Sequence, residues 1–505
     1  MTPRWYINCA VVMSGVSILA AEILGARLIG TFYGTGLYLW SALIAVTLGA
    51  LSMGFWLGGR WAARDLRLDR FCALLGGAGL WFAVIPWIRH PILATTESIG
   101  LRSAVLATAC ILFFPPLALL GMASPCALRL KTTSIEIAGR TAGGLCAISA
   151  LAGAAALLVS LVLIPTVGVQ RLAFLAGVSL IVIALIGAAL SRGKTAPALI
   201  AIIAVIAAAV FAAPRGRTNA ERGLVTVAQS PYAEIRVVEA GGQRLLLIDG
   251  MVHTEVDTLT LGSSSEYVEV LDLARGFFSA PGRLLLMGLG GGALAKRFTA
   301  RGWSVDAVEM DPAVVRMARD YFNVAPSDAR IHRMDGRGFL TKDTGMYDLI
   351  IMDAPGTGSL PFHLVTREAF AQYRTRLAPG GVLALNVIAV GWRDRLARSL
   401  AATLNEAFAR VIVLPIAEPP DQLGNLILLA SNSELELLEE PPRPWDRFSP
   451  EYTRAHAWDN RFEIDPAGEQ IITDDLNPVE LWAERINLAQ RKALHEHFGR
   501  EGIVW

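Results

Sequence analysis

Residues 283–295, RLLLMGLGGGALA, run from an unbroken apolar segment through Gly288, Gly290, Gly291 and Gly292 into the helix-forming Ala293-Leu294-Ala295. A short apolar run ended by glycine reads as a strand buried on both faces, and the glycines mark a turn where backbone must come close to a ligand. The helix that follows aims its free N–H groups at the same place. Six further strand patterns follow: SVDAVEM (304–310), ARIHRMD (329–335), YDLIIMDA (347–354), GVLALNVI (381–388), RVIVLPI (410–416) and NLILLASN (425–432). Helical segments separate most of them, and none separates the last two. Apolar strands alternating with helices predict a parallel sheet covered on both faces. Seven strands with a helix-less final pair predict a Rossmann-like domain of the class I methyltransferase type over 263–432.

Upstream, YAEIRVVEAGGQRLLLIDG gives two alternating strands around Gly241-Gly242, a hairpin in a small β subdomain over 223–262. Residues 214–222 read as a linker. Before it the solvent changes. Apolar runs of about 20 residues, the length a bilayer requires, lie near 7–32, 37–59, 71–88, 103–128, 143–164, 168–190 and 196–213. Residues 1–213 therefore read as a helical membrane domain of about seven spans. Ala50, Gly54 and Gly58 make a smooth stripe for close helix packing, and Pro115-Pro116 should kink the fourth span. Glu22 should face the bundle interior, as an interhelical hydrogen bond or part of a substrate path. Residues 433–505 read as a helical and irregular extension.

The 505 residues carry a net charge of +1 and no basic stripe, which gives no case for nucleic acid. The five cysteines lie in apolar stretches without metal-type spacing, and the seven histidines are scattered, so no metal is expected.

In a doubly wound sheet the ligand sits outside the carboxyl ends of the strands. Four features stand there. The glycine turn fits a dinucleotide or an adenosyl ligand. Glu309, ending the second strand, would accept hydrogen bonds from ribose hydroxyls in either class. Asp335, followed by Gly336, ends the third strand, placed for an adenine amino group or as a helix N-cap. Asp353 ends the fourth, before Ala-Pro-Gly, where capping explains it poorly. This succession of acids favours an adenosyl sulfonium over NAD.

The series LLLIDG, Tyr267-Val268-Glu269, LLLMGLGGGALA, VDAVEMD, MDGRGFL, YDLIIMDA, HLVTREAF and LAPGGVLALNV resembles the spermidine synthases, most closely their bacterial membrane-fused relatives. SGVSILAAEILGARL, LGALSMGFWLGGRWAAR and ITDDLNPVE (472–480) look like other parts of those fused proteins. The resemblance implies S-adenosylmethionine or its decarboxylated form as co-substrate, and an amine acceptor deprotonated by Asp353. It also implies substrate contacts at Asp249, His253, Tyr267, Glu269 and His363. The chemistry is consistent with that role, because an ammonium has no lone pair until a base takes its proton.

Against the same family, several acids are missing. The second Asp, three places after the catalytic one, is Gly356 here. The Asp of the glycine loop is Gly291, the acidic pair before Tyr-x-Glu is Ser263-Ser264, and a Gln is replaced by His253. Each lost charge-assisted contact is worth about 1.5–3 kcal/mol. An adenosyl pocket with a rebuilt acceptor pocket is expected, taking a small amine or an amphiphile from the bilayer. A homodimer is an allowed assembly. Methyl transfer is the alternative chemistry. A transporter with an adenosyl-sensing soluble half is the alternative class, supported by Glu22 and opposed by Asp353.

Arginine and lysine cluster after spans two (Arg60, Arg64, Arg67, Arg70), four (Arg129, Lys131, Arg140) and six (Arg192, Lys194), which assigns those loops to the cytosol. With seven spans in a bacterial inner membrane, the catalytic domain would then lie outside. Adenosyl sulfoniums are made in the cytosol, and Arg215, Arg217 and Arg222 allow a cytosolic domain, so the cytosolic face is expected against the loop charges.

Overall fold

The structure, a computed structural model, describes all residues except 1–3, 35, 65–66, 97–98, 133, 193–222, 355–359, 417–419 and 499–505. The chain divides into two compact units, Met1–Arg217 and Thr218–Trp505.

The first unit is built of α1 (Arg4–Tyr33), α2 (Leu37–Ala62), α3 (Leu68–Thr96), α4 (Leu101–Lys131), α5 (Ala138–Val167) and α6 (Val169–Arg192). Among the described residues these six are long and apolar enough to cross a membrane. The seventh run, 196–213, and the linker 214–222 lie outside the described residues. Helix α4 continues through Pro115, Pro116 and Pro125. Its tightest neighbour is α2. A Cβ on Gly54 would strike the Ala118 carbonyl oxygen, one on Gly58 would lie 2.6 Å from Met122 Cα, and one on Gly121 would lie 3.0 Å from the Leu51 oxygen. Small residues here let the two backbones touch, which is how helices associate where burial from water supplies no drive. Glu22 of α1 shares a side-chain hydrogen bond with Thr47 of α2, the interhelical bond.

The second unit opens with β1 (Leu224–Gln229), β2 (Glu234–Ala240), β3 (Gln243–Ile248) and β4 (Met251–Asp257), an antiparallel meander. It is a four-stranded sheet, larger than the hairpin read from sequence. Two turns with both central residues at positive φ, Gly241-Gly242 and Asp249-Gly250, match the twist of their strands. Short α7 (Glu266–Asp272) leads into the main sheet.

That sheet comprises β5 (Arg283–Met287), β6 (Ser304–Val308), β7 (Arg330–His332), β8 (Tyr347–Met352), β9 (Leu377–Val390), β10 (Arg410–Pro415) and β11 (Leu423–Ser431), in the order β10-β11-β9-β8-β5-β6-β7. It is mixed: β11 runs antiparallel to both β9 and β10, because a helix-less connection can only turn back. Between strands lie α8 (Ala293–Thr299), α9 (Pro312–Phe322), α10 (Gly336–Lys342), α11 (Arg367–Arg376) and α12 (Arg395–Asn405). The short α10 was not evident in the strand pattern. The C-terminal part adds α13 (Pro450–Asp459) and α14 (Val479–Phe498).

Alternate residues of the central strands enter opposite cores. Leu285, Met287, Ile350 and Met352 pack with Phe370 and Leu400 on one face. Leu284, Leu286, Leu349 and Ile351 pack with Phe298, Val315 and Trp458 on the other. Double burial explains why these strands read as continuous apolar runs. The chain leaves β5 toward β6 and β7, then returns to β8 on the other side of β5. The crevice at the carboxyl ends of β5 and β8 is therefore the topological switch point.

Gly54→Leu should force α2 and α4 apart and cost about 1–3 kcal/mol or more, read as a lowered thermal transition of the full chain in detergent. Gly59→Ala should leave it unchanged, since a Cβ there meets nothing within 4 Å.

Candidate functional site

Pairing of Leu284–Met287 with Leu349–Met352 sets the end of β5 against the end of β8. One more bond, from the Asp353 N–H to the Met287 carbonyl (2.9 Å), carries the register past the strands. Gly288 lies in that seam with φ +91°, and a Cβ would collide with the Asp353 carbonyl oxygen. Only glycine fits there. Gly290 (φ +51°) and Gly292 (φ +74°) complete the turn into α8, with Gly292 against Val324. The Gly291 N–H donates to Thr254 Oγ1 of β4 (2.8 Å), tying the turn to the β subdomain.

Glu309 follows β6 and faces the same turn. Its Oε2 accepts from the Leu289 N–H (3.2 Å) and its Oε1 from the Asp311 N–H (2.9 Å). Burial pushes its carboxyl up, with the backbone N–H groups opposing. Asp335 caps α10, with Oδ1 accepting from the Gly338 N–H (3.0 Å), and its Oδ2 meets His363 Nε2 at 2.7 Å. Burial raises its carboxyl, but the Gly338 N–H and His363 outweigh it and hold it below the usual range. Capping and a place at the strand end are both realised, and Gly336 is the first residue of the capped helix. The glycine turn, Glu309 and Asp335 stand together at the strand ends, two carboxylates beside a turn without side chains, which is compatible with an adenosyl group.

Asp353 is held differently. Its Oδ1 accepts from Asn386 Nδ2 of β9 (2.9 Å), and the Tyr267 hydroxyl donates to the same carboxylate. Asn386 Oδ1 in turn accepts from Asn425 Nδ2 of β11 (2.7 Å). The carboxylate thus sits in a chain of neutral donors. Burial pushes it up to about 6, with the two donors pulling the other way. The Tyr267 hydroxyl is raised by burial and by the Asp353 charge, so it stays a donor.

Tyr267 and Asn386 also line a cavity of about 960 Å³ bounded by β4, β9, β11 and α13. His253 lies in its wall, and burial depresses the ring to about 4, so it is neutral near pH 7. Glu255 and Glu266 line it as well, two carboxylates near the missing pair, with Ser264 beside them.

Three expected substrate residues are engaged elsewhere. Glu269 is buried, its Oε1 bonded to Arg297 and its Oε2 to Arg454 NH1 (2.7 Å). Two positions beyond Tyr267 on a short helix, it points away from that residue and clamps α7 to α8 and α13. Asp249 is 2% exposed in the β3–β4 turn, where Oδ1 accepts from the Glu234 N–H (2.8 Å). It orders the hairpin. His363 is drawn to Asp335 rather than to the cavity. Gly356, with Pro355 and Gly358, lies outside the described residues. At Gly291 a Cβ would fall 2.6 Å from Thr254 Cγ2 and 3.0 Å from Phe322, so Thr254 fills the space an acid there would need.

Sequence reading missed Asn386, Asn425, Thr254, Glu255 and Glu266. Asn386 had a signal, a lone amide within VLALNVIAV. It also missed how the C-terminal segment braces the site. Asp474 accepts from Arg337 NH2 (2.9 Å) and from the Thr366 hydroxyl (2.7 Å), and Asn477 Nδ2 donates to the Phe362 oxygen (2.8 Å).

No family model matches the chain. It is 33% identical over 168 residues to a polyamine aminopropyltransferase of Vibrio vulnificus, covering 32% of this chain and 53% of that one. The match thus spans about half the length of that relative. A probable polyamine aminopropyl transferase of Bifidobacterium longum is 22% identical over 305 residues, 55% of this chain and 68% of that one. The human eEF1A lysine and N-terminal methyltransferase is 30% identical over 193 residues, 33% of this chain and 27% of that one.

Two outcomes follow from this geometry. Because the folded carboxyl of Asp353 titrates near 6 and an unfolded one near 3.9, the ionised form costs stability, growing from about pH 4 to pH 6 and constant above. Asp353→Asn should therefore raise unfolding stability at pH 8 by about 1–3 kcal/mol and have little effect at pH 4, measured by denaturant melts. Glu269→Ala should do the opposite, taking from Arg297 its carboxylate and leaving Arg454 only Glu451 and Asp272, at a cost of about 3–5 kcal/mol.

Proposed function

We propose that this spermidine synthase-like chain is a membrane-anchored transferase that moves an alkyl group from an adenosyl sulfonium to an amine, with Asp353 as the base. The observation that carries this reading is Asp353 itself: a desolvated carboxylate near pKa 6, held by Tyr267 and Asn386 where both also line a cavity. A base poised near the working pH balances occupancy of the ionised form against affinity for the proton. The acceptor ammonium gives its proton to Asp353, the freed nitrogen pair forms the new N–C bond, and the C–S pair departs on sulfur as a neutral thioether. Glu255 and Glu266 would attract the cationic acceptor. Gly288, Gly290, Gly292, Glu309, Asp335 and Gly336 would hold the adenosyl part, with His253 shaping the acceptor wall.

Decarboxylated S-adenosylmethionine is the donor that the aminopropyltransferase relatives suggest. The methyltransferase similarity supports a second reading, methyl transfer from S-adenosylmethionine through the same cradle. The two separate on one measurement, the nucleoside released by purified protein: methylthioadenosine for alkyl transfer by the first route, adenosylhomocysteine for the second.

Helices α1 to α6 are the proposed anchor in a bacterial inner membrane. If these six alone cross, the charges after α2, α4 and α6 place the end of α6 in the cytosol, and the conflict between loop charge and cofactor supply disappears. A green fluorescent protein fused after residue 220 should then fluoresce; an active alkaline phosphatase at that point would overturn this topology.

With either donor, Asp353→Asn should lower turnover by about 10²–10⁴-fold with little change in donor affinity. Wild-type turnover should fall as pH drops through about 6, where the base becomes protonated. Tyr267→Phe removes a donor that favours the charged form, so its acidic limb should move to higher pH. An unchanged rate in Asp353→Asn would remove the mechanism.

A further inference from the structure

Between Leu438 and α13 the chain reads EEPPRPWDRFSP (439–450). At its tip Trp445 and Phe448 are 95% and 97% exposed, the two most exposed large aromatics of the described residues. Two large rings exposed within four residues make a clustered apolar surface, the feature that marks an interaction site, whereas a single exposed ring would not. The tip is also built rather than slack. Pro441, Pro442 and Pro444 restrict the backbone. Arg443 anchors the base through Asp459 (2.9 Å) and Glu440 (2.8 Å). Beyond the tip, Asp446 Oδ1 accepts from the Phe448 N–H (3.0 Å), and the Ser449 hydroxyl caps α13 by accepting from Tyr452 N–H (3.2 Å). The aromatics are held outward at low entropic cost.

Arg447 stands between them and makes no ion pair among the described residues, yet it lines the acceptor cavity together with Tyr452, Thr453 and His456 of the capped helix. Two exposed aromatic rings with an uncommitted guanidinium match the boundary between acyl chains and phosphate headgroups, where Trp and Arg are both favoured. A bilayer is the surface a chain with six membrane-length helices always has at hand. We propose that the 445–448 tip is an interfacial membrane-binding element: Trp445 and Phe448 enter the headgroup region of a lipid surface, and Arg447 pairs with lipid phosphate at the mouth of the cavity. The class of acceptor follows. An amine carried on an amphiphile could pass from the bilayer surface to Asp353 by way of residues 447–456, without crossing bulk water.

This inference rests on the membrane anchoring proposed above, and the test separates the two. The full chain and its Trp445→Phe variant are reconstituted in nanodiscs of phosphatidylcholine with either unbrominated or brominated acyl chains, and the Trp445 contribution is taken as the difference in fluorescence.

The discs with ordinary, unbrominated chains give the reference intensity. Insertion predicts that most of the Trp445 emission is lost in the brominated discs, and that aqueous iodide quenches it little. Trp5, Trp40, Trp56 and Trp87, exposed on α1 to α3, are the internal control for anchoring. If their emission is lost to bromine while the Trp445 component is quenched only by iodide, the tip stands in water and this inference falls alone. If neither quencher reaches Trp445, a second copy or another protein covers it, and the inference falls as well. If bromine leaves all of the emission intact, the anchoring itself is wrong and takes this inference with it. A charge-reversing Arg447→Glu should reduce the bromine quenching of Trp445 in discs containing anionic phosphatidylglycerol, and no change there would remove the phosphate contact.

Discussion

Four residues of parallel pairing, Leu284–Met287 against Leu349–Met352, decide where everything in the second unit stands. They bring the end of β5 beside the end of β8, the third strand after it in sequence, at the place in the sheet where connections leave in opposite directions. Gly288 is needed because the Asp353 backbone occupies the space its side chain would take. The cores on both faces hold this seam rigid, so the carboxylate that emerges from it needs no mobile loop to aim it.

What surrounds that carboxylate is chemically selective. A cationic neighbour would lower its affinity for a proton and make it a weak base; the two arginines go instead to the buried carboxylate of Glu269, in a purely structural clamp. Asp353 instead has an amide and a phenol. These orient it and leave its basicity to burial. The same fold thus carries two desolvated acids with different partners, one committed to packing and one left able to take a proton.

The sheet was legible in the sequence because double burial leaves a plain signature, an apolar run closed by glycine or an acid. The acids at the strand ends were legible for the same reason, since Glu309, Asp335 and Asp353 interrupt such runs at fixed places. What was not legible depends on contacts across the chain. Nothing local distinguishes Glu269, which meets Arg297 and Arg454, from Tyr267, which meets Asp353. Asp249 looked like a site residue and is a turn residue, because its neighbour across the hairpin, Glu234, lies 15 positions away. The relay through Asn386 and Asn425 joins strands that are adjacent in space and separated by a whole helix in sequence. The short helix after Asp335 was hidden because seven residues are too few to show a helical period.

Thr254 has a consequence of its own. It receives the Gly291 N–H, and with its neighbours His253 and Glu255 it also lines the cavity. One strand therefore touches both the glycine turn and the cavity wall. On the proposed function, an acceptor that displaces β4 would also disturb the turn that holds the donor, and a bound donor would stiffen the wall the acceptor meets. Each substrate would then alter the free energy with which the other binds, by the same amount in both directions. The small β sheet would in this sense be a thermodynamic coupling between two half-sites.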